Sequence, residues 1–342
     1  MRSAKKVSLG FYPTPLHKLD NLSKKLGYEL YIKRDDLTGL AFGGNKTRKL
    51  EYLIADALEH HAKAVVTEGA AQSNHVRQTA AAARKYGLDA HLLLWKPEPE
   101  HYNGNLLVDM LLGAKVHWIN PQNAYKDRLK VLGALRDCYG MDPYYIPLGG
   151  SNEIGLLGYI DAIDELKTQM EYLQVKFDYI VFASSSGGTQ AGMILGKKLY
   201  NVRAELIGIE IGKMYQNKTL EQHIQIISNY AVEHFNLPAR VEEDDITVIH
   251  EYSKPGYSVI TDLERNAIYT LGQEEGIILD PVYTGRAFGG LLDLIEKGYF
   301  PKHSKILFWH TGGQPSNFAF AQQIFQKQEI SKDNKYLEKE IL

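Results

Sequence analysis

The sequence predicts an α/β protein of two domains, each a mainly parallel, twisted sheet flanked by helices. Three observations predict it. Short apolar runs alternate with segments of helical period, the rhythm of βαβ units. The runs fall into two series, one ending near Pro147 and the next starting near Tyr179, which supplies strands for two sheets. The loops after the runs, where an open parallel sheet binds ligands, are rich in Gly, Ser, Thr and Asn. At 342 residues the chain is long enough for one large or two ordinary domains.

The elements follow in order. Tyr12-Pro-Thr-Pro15 forces an extended entry, and residues 29–33 read as a strand. A helix follows Gly43-Gly-Asn45, because Leu50, Leu53, Ile54, Ala57 and Leu58 recur at spacings of three and four. The first strand series is 64–67, 90–94, 115–119 and 144–147, with helices near 72–87, 103–113 and 122–139. A longer helix near 153–173 follows Gly149-Gly-Ser151. The second series is 179–183, 205–209, 246–249 and 305–309, again separated by helical patterns. The charged tail after Gln326 reads as a solvated, frayed helix.

Composition narrows the function. Lys plus Arg number 39 against 41 Asp plus Glu, so no basic surplus invites nucleic acid or an anionic membrane. The single cysteine, Cys138, excludes an intramolecular disulfide and points to a reducing compartment. It lies in a helical stretch and is expected to be a buried structural thiol. No apolar h-region follows Met1, and no run approaches the ~18 apolar residues of a spanning helix. The 12 histidines form no zinc-ligand spacing. The expectation is a soluble, cytoplasmic protein with no metal, nucleic-acid or membrane partner.

The stretch 40–51, Leu-Ala-Phe-Gly-Gly-Asn-Lys-Thr-Arg-Lys-Leu-Glu, puts Lys46 where a glycine-rich loop meets a helix N-terminus. A cation gains nothing there, since the helix dipole already makes that end positive. Three readings compete. Lys46 is a solvated surface lysine, part of a nucleotide P-loop, or a lysine that joins a carbonyl cofactor with its amine activated by Arg48 and Lys49. The P-loop pattern breaks at Asn45, where glycine is needed.

The other loops weigh the choice. After 64–67 come Gln72, Ser73, Asn74 and His75 at a helix start. One N-cap explains one of them, and amides there also suit a carboxylate or phenolate. After 179–183 comes Ser184-Ser-Ser-Gly-Gly-Thr-Gln190, small residues that cradle a phosphate on backbone amides. Glu210 raises a dinucleotide alternative, but the Gly-x-Gly-x-x-Gly spacing is missing. Tyr283, Thr284 and Thr311 fall after later strands, and Tyr257 is expected to open the helix before 280. A lone tyrosine is usually packing. Together, however, the lysine, phosphate loop, Ser/Asn loop, tyrosines and threonines suit a monophosphate aldehyde bound through Lys46, pyridoxal 5′-phosphate.

These residues resemble the D-cysteine desulfhydrase and 1-aminocyclopropane-1-carboxylate (ACC) deaminase group, within the tryptophan-synthase-β-like pyridoxal phosphate enzymes. The resemblance rests on Lys33-Arg-Asp-Asp36, Gly43-Gly-Asn-Lys-Thr-Arg-Lys-Leu-Glu51, Gln72-Ser-Asn-His-Val-Arg-Gln78, Gly188-Thr-Gln-Ala-Gly192, Asp280-Pro-Val-Tyr283 and His310-Thr-Gly-Gly313. It covers about residues 10 to 320 and implies pyridoxal phosphate fold type II. It implies that Lys46 is the covalent anchor of the cofactor and Asn74 the partner of its phenolic oxygen. Ser73, Asn74 and His75 would hold the substrate carboxylate. Ser186, Gly187, Gly188 and Thr189 would hold the phosphate, helped by Lys49. Tyr283 and Tyr257 would face the substrate, with Thr284 on the pyridine nitrogen and Thr311 beside the cofactor. It further implies a large domain (1–48 and 161–342), a small inserted domain (49–160), a cleft site between them and a homodimer. The chain departs from the desulfhydrase pattern in Ser184-Ser-Ser186 and in Gln314-Pro-Ser-Asn317.

Within that group, ACC deaminases carry glutamate after the Asp-Pro-Val-Tyr run and leucine before the Gly-Gly. Here those positions are Thr284 and Thr311, as in the desulfhydrases. A carboxylate keeps the ring nitrogen protonated and suits ring opening. Threonine leaves it neutral, which suffices when thiolate leaves Cβ. The expected reaction is therefore β-elimination on a small amino acid, D-cysteine giving pyruvate, hydrogen sulfide and ammonia. Lys46, or the neighbourhood of Ser73 and the tyrosines, would take the Cα proton, and a tyrosine would protonate the sulfur. ACC deamination, cysteate sulfo-lysis and non-catalytic metabolite binding are the alternatives.

Overall fold

The computed structural model describes residues 4–213, 215 and 217–325, so the tail after Gln326 lies outside the described residues. The chain enters as β1 (Leu16–Lys18), α1 (Asp20–Leu26) and β2 (Glu29–Arg34), then α2 (Lys46–Glu59). Next come β3 (Ala64–Gly69), α3 (Asn74–Lys85), β4 (Asp89–Trp95), α4 (Gly104–Leu111), β5 (Lys115–Ile119), α5 (Ala124–Tyr139) and β6 (Tyr144–Tyr145). Helix α6 (Leu157–Tyr172) leads to β7 (Tyr179–Ser184), α7 (Gly188–Tyr200), β8 (Glu205–Glu210), α8 (Leu220–Phe235) and β9 (Thr247–Ile249). The series ends with α9 (Asp262–Glu275), α10 (Thr284–Glu296) and β10 (Lys305–His310), followed by two short helical turns.

The strands form two sheets. One has six strands in the order β1-β2-β10-β7-β8-β9, and the other four in the order β5-β4-β3-β6. Every pairing is parallel except β1 with β2. Helices cover both faces, which is why β3 is buried along its whole length and reads as a continuous apolar run rather than an alternation. Strand β1 gave no sequence signal because three residues are too few to alternate. Strand β6 is shorter than expected: beyond Tyr145 only the Ile146 amide continues the ladder, to the Val66 carbonyl at 2.8 Å, and Pro147 has none to give.

Buried charges clamp the elements around the start of α2. Arg48 donates to both Asp35 oxygens at 2.8 and 3.0 Å and to Glu165 at 2.9 Å. Asp35 also accepts from Tyr159 at 2.6 Å and Trp309 at 2.8 Å. Lys33, fully buried, donates to Glu165, to the Thr14 carbonyl at 2.7 Å and to Gln169 at 2.6 Å. Buried ions are tolerable only when partnered in this way. The cluster ties β2, α2, α6 and β10 together two residues from Lys46.

Two expectations are corrected. Cys138 is exposed: the inner stripe of α5 runs through Val131, Leu135 and Tyr139, at spacings of four, and Cys138 lies off it. Tyr257 does not open a helix, because α9 starts at Asp262 behind a Thr261 cap that accepts from the Leu263 amide. Among the described residues no helix is long and apolar enough to cross a membrane, and no group of three or more His, Cys, Asp or Glu could hold a metal.

Candidate active site

The carboxyl ends of both sheets open on one pocket. It encloses about 720 Å³, part of it open solvent. Its wall comes from the loops after β2, β3, β6, β7 and β10, the end of β4, and Tyr257 and Tyr283.

Lys46 is the first residue of α2 and lines this pocket. Its turn is stitched to the loop after β10, where the Asn45 amide donates to the Thr311 carbonyl at 2.9 Å. The two loops meet at glycines. A Cβ on Gly312, whose φ is +86°, would lie 2.7 Å from Gly44 Cα, so only glycine permits the approach. The Lys46 amine has no hydrogen-bond partner among the described residues, and burial lowers its pKa to about 8.

Ser73 caps α3, its oxygen accepting from the Val76 amide at 3.3 Å. That bond uses a lone pair and leaves the hydroxyl proton available. His75 Nε2 lies 2.8 Å from Thr67 Oγ1, whose proton goes to the Ile146 carbonyl. The imidazole therefore donates from Nε2 and carries a bare Nδ1, which is buried without a partner among the described residues. Asn74 Oδ1 accepts from Asn105 at 2.8 Å.

On the opposite wall, Ser186 Oγ is 2.8 Å from Ser151 Oγ, which also accepts from the Gly188 amide at 3.2 Å and from Lys49 at 3.3 Å. Lys49 further donates to the Gly149 carbonyl at 3.1 Å. A Cβ on Gly188 would lie 2.9 Å from the Lys49 amine. Thr189 Oγ1 accepts from Asn45 at 3.1 Å. The Tyr257 and Tyr283 hydroxyls are 2.6 Å apart, and burial raises the pKa of both.

Lys46, Ser73, Asn74, His75, Ser186, Gly187, Thr189, Tyr257, Tyr283 and Thr311 are thus brought together in the lining. Lys49, Gly188 and Thr284 are not part of it. Lys49 and Gly188 lie behind the Ser151 hydroxyl. Thr284 faces back toward Asp280, donating to its Oδ1 at 2.7 Å and accepting from its amide at 2.8 Å. Asp280 also accepts from the amides of Val282, Tyr283 and Thr284, which lead into α10. Of the lining residues, Asn45 and Trp95 were not singled out for the site by sequence reasoning. Trp95, directly after the strand expected at 90–94, had a findable signal.

Electrostatics say what fits. Lys49 and His75 are pushed well below their usual pKa values, first by burial and then by neighbouring lysine charge. No Asp or Glu is among the described lining residues. A dianionic phosphate at the start of α7 would supply the missing negative charge, and first-turn amides would receive it, with Lys49 adding positive charge from behind Ser151. The Ser184 hydroxyl on the same wall is buried and has no partner among the described residues. The residues therefore fit pyridoxal 5′-phosphate.

Comparison with known proteins agrees. The family model described as pyridoxal-phosphate dependent enzyme matches residues 7–312. A D-cysteine desulfhydrase of Serratia proteamaculans is 41% identical over 318 residues, 91% of this chain and 94% of that one. A Pyrococcus horikoshii protein, named only as a candidate 1-aminocyclopropane-1-carboxylate deaminase, is 40% identical over 93% of this chain and 95% of its own. The crystal structure of an ACC deaminase homologue superposes with a TM-score of 0.85 at 40% identity, covering 94% of this chain and 95% of that one.

Proposed function

The chain belongs to the pyridoxal-phosphate dependent enzymes, and from that premise we propose that it is a lyase carrying out β-elimination on D-cysteine to give pyruvate, hydrogen sulfide and ammonia. The observation that carries the choice of reaction is the absence of any carboxylate among the described residues lining the pocket, with Thr284 where ACC deaminases carry glutamate and Thr311 where they carry leucine. Identity to named D-cysteine desulfhydrases supports the substrate. In this reading 49–160 is an inserted domain, although α2 runs across its first boundary. The working form is a homodimer in the cytoplasm, and light scattering tests the assembly.

Bound through Lys46, pyridoxal phosphate supplies a carbonyl for the substrate amine and an electron sink for the charge left at Cα. The residues of the chain do the rest. Ser73, with its proton free, and the amides starting α3 hold the substrate carboxylate. Lys46 takes the Cα proton. Its amine is near half deprotonated around pH 8, His75 is held far too weak a base, and the tyrosines are held protonated. Those tyrosines are the proton source for the leaving sulfur, relayed across their 2.6 Å contact.

The test is a panel of D-cysteine, L-cysteine, cysteate, D-serine and ACC, read as pyruvate or 2-oxobutanoate. D-cysteine should be turned over fastest. If ACC is the best substrate, the argument from the missing carboxylate and the two threonines is wrong. If cysteate is, only the leaving group was misjudged.

A further inference from the structure

A carboxamide has nearly the same outline either way round, so its partners decide which end faces a ligand. For Asn74 the decision starts at Arg77. A guanidinium only donates. Arg77 Nη1 lies 2.6 Å from Asn105 Oδ1, so that end of Asn105 must be its oxygen. The other end is then its NH₂, which meets the Gln72 carbonyl at 2.7 Å and Asn74 Oδ1 at 2.8 Å. A carbonyl only accepts, so Gln72 fixes the same orientation independently. Asn74 Oδ1 is thereby held on the protein side, 3.5 Å from Arg77 Nη1 as well. Its NH₂ is left at the pocket, beside Gly313.

Arg77 and Asn105 are fully buried, and neither lines the pocket. Arg77 is itself pinned, its Nη2 donating to the Gly43 carbonyl at 2.8 Å in the turn before Lys46. We propose that Arg77 and Asn105 are a positioning pair that fixes the Asn74 carboxamide with its NH₂ toward the phenolic oxygen of the cofactor. This rests on the reading of Asn74 as that oxygen's partner. Facing this way, Asn74 draws charge from the oxygen. Turned over, it would set lone pair against lone pair.

The loaded protein is titrated by its visible absorption band, which follows protonation of the Lys46 nitrogen beside the phenolic oxygen. Losing the donor leaves that oxygen more negative and favours the protonated nitrogen. Asn74→Ala should therefore raise the midpoint by about one pH unit, the size of a charge-assisted hydrogen bond. Asn105→Asp keeps the Arg77 bond but turns an acceptor toward Asn74, which must flip. It should raise the midpoint at least as far and weaken cofactor retention about tenfold more than Asn74→Ala, the worth of one lost or reversed hydrogen bond. In an Asn74→Ala background Asn105→Asp should add little, which separates a relay from the through-space effect of a new charge. Arg77→Lys, still only a donor, should restore the parental midpoint where Arg77→Gln, able to face either way, does not, and this pair serves if Asn105→Asp does not fold.

An unchanged midpoint in Asn105→Asp, or an equal shift with and without Asn74, overturns the pair's role while Asn74 keeps its own. If Asn74→Ala itself leaves the midpoint unmoved, the reading of Asn74 fails and the relay with it.

Discussion

Lys46 reaches the pocket with its pKa already lowered to about 8 by burial alone. Capture of the cofactor by stripped protein needs the neutral amine, so its rate should rise with pH through a midpoint near 8. A borohydride-trapped time course measures this, and a midpoint at the ordinary lysine value of about 10.4 would refute it. The threonines give a second residue-scale contrast. Thr311→Val should lower turnover with little loss of stability. Thr284→Val should instead lower the melting temperature, since it strips hydrogen bonds from buried Asp280, a cost of about 1–3 kcal/mol. Asp109 supplies the pH test. It is fully buried with both oxygens unpartnered among the described residues, and burial holds its pKa well above the usual value. The folded state therefore keeps a proton that the unfolded chain loses above about pH 3.9, and stability falls as pH rises from there toward the folded value. Asp109→Asn should match the parent near pH 4 and exceed it at pH 8 in denaturant unfolding. The lysine and the Ser73–His75 run were legible because their signal is contiguous. Thr284 was not, because its hydroxyl could turn to the pocket or to Asp280 four residues back. The Arg77–Asn105 bond was not either, since it joins residues 28 apart through side-chain geometry alone.

At the scale of elements, most strands and helices were legible because burial on both sheet faces writes them as apolar runs. What periodicity could not show is how α2 is held. Arg48 looked in sequence like charge lent to Lys46, yet its guanidinium is spent on Asp35 and Glu165. Arg48→Met should cost about 3–5 kcal/mol in unfolding free energy, because two carboxylates lose their buried partner. A loss below 1 kcal/mol would show that the cluster relaxes. The start of α7 is a steric matter. A bulky residue replacing Gly188 meets Ser151 and the Lys49 amine, so Gly188→Val should release cofactor on dialysis that the parent retains.

Across the whole molecule, the site draws on both sheets, whose strands are distributed very differently along the chain. All four strands of the smaller sheet lie between Ala64 and Tyr145. The larger sheet places its last strand, β10, between β2 and β7, pairing Leu30 with Ile306 and Ile180 with Leu307. On a ribosome the smaller sheet can close as soon as β6 emerges. The larger one must wait for its centre, a delay of roughly 10–30 s at ordinary elongation rates. From the emergence of β7 until that of β10, β2 and β7 carry unpaired backbone edges with no strand between them. Arrested nascent chains ending near residue 250 should thus show a protease-resistant core from the smaller sheet and open cleavage around β2. The newborn enzyme's exposure to aggregation is set by the position of β10.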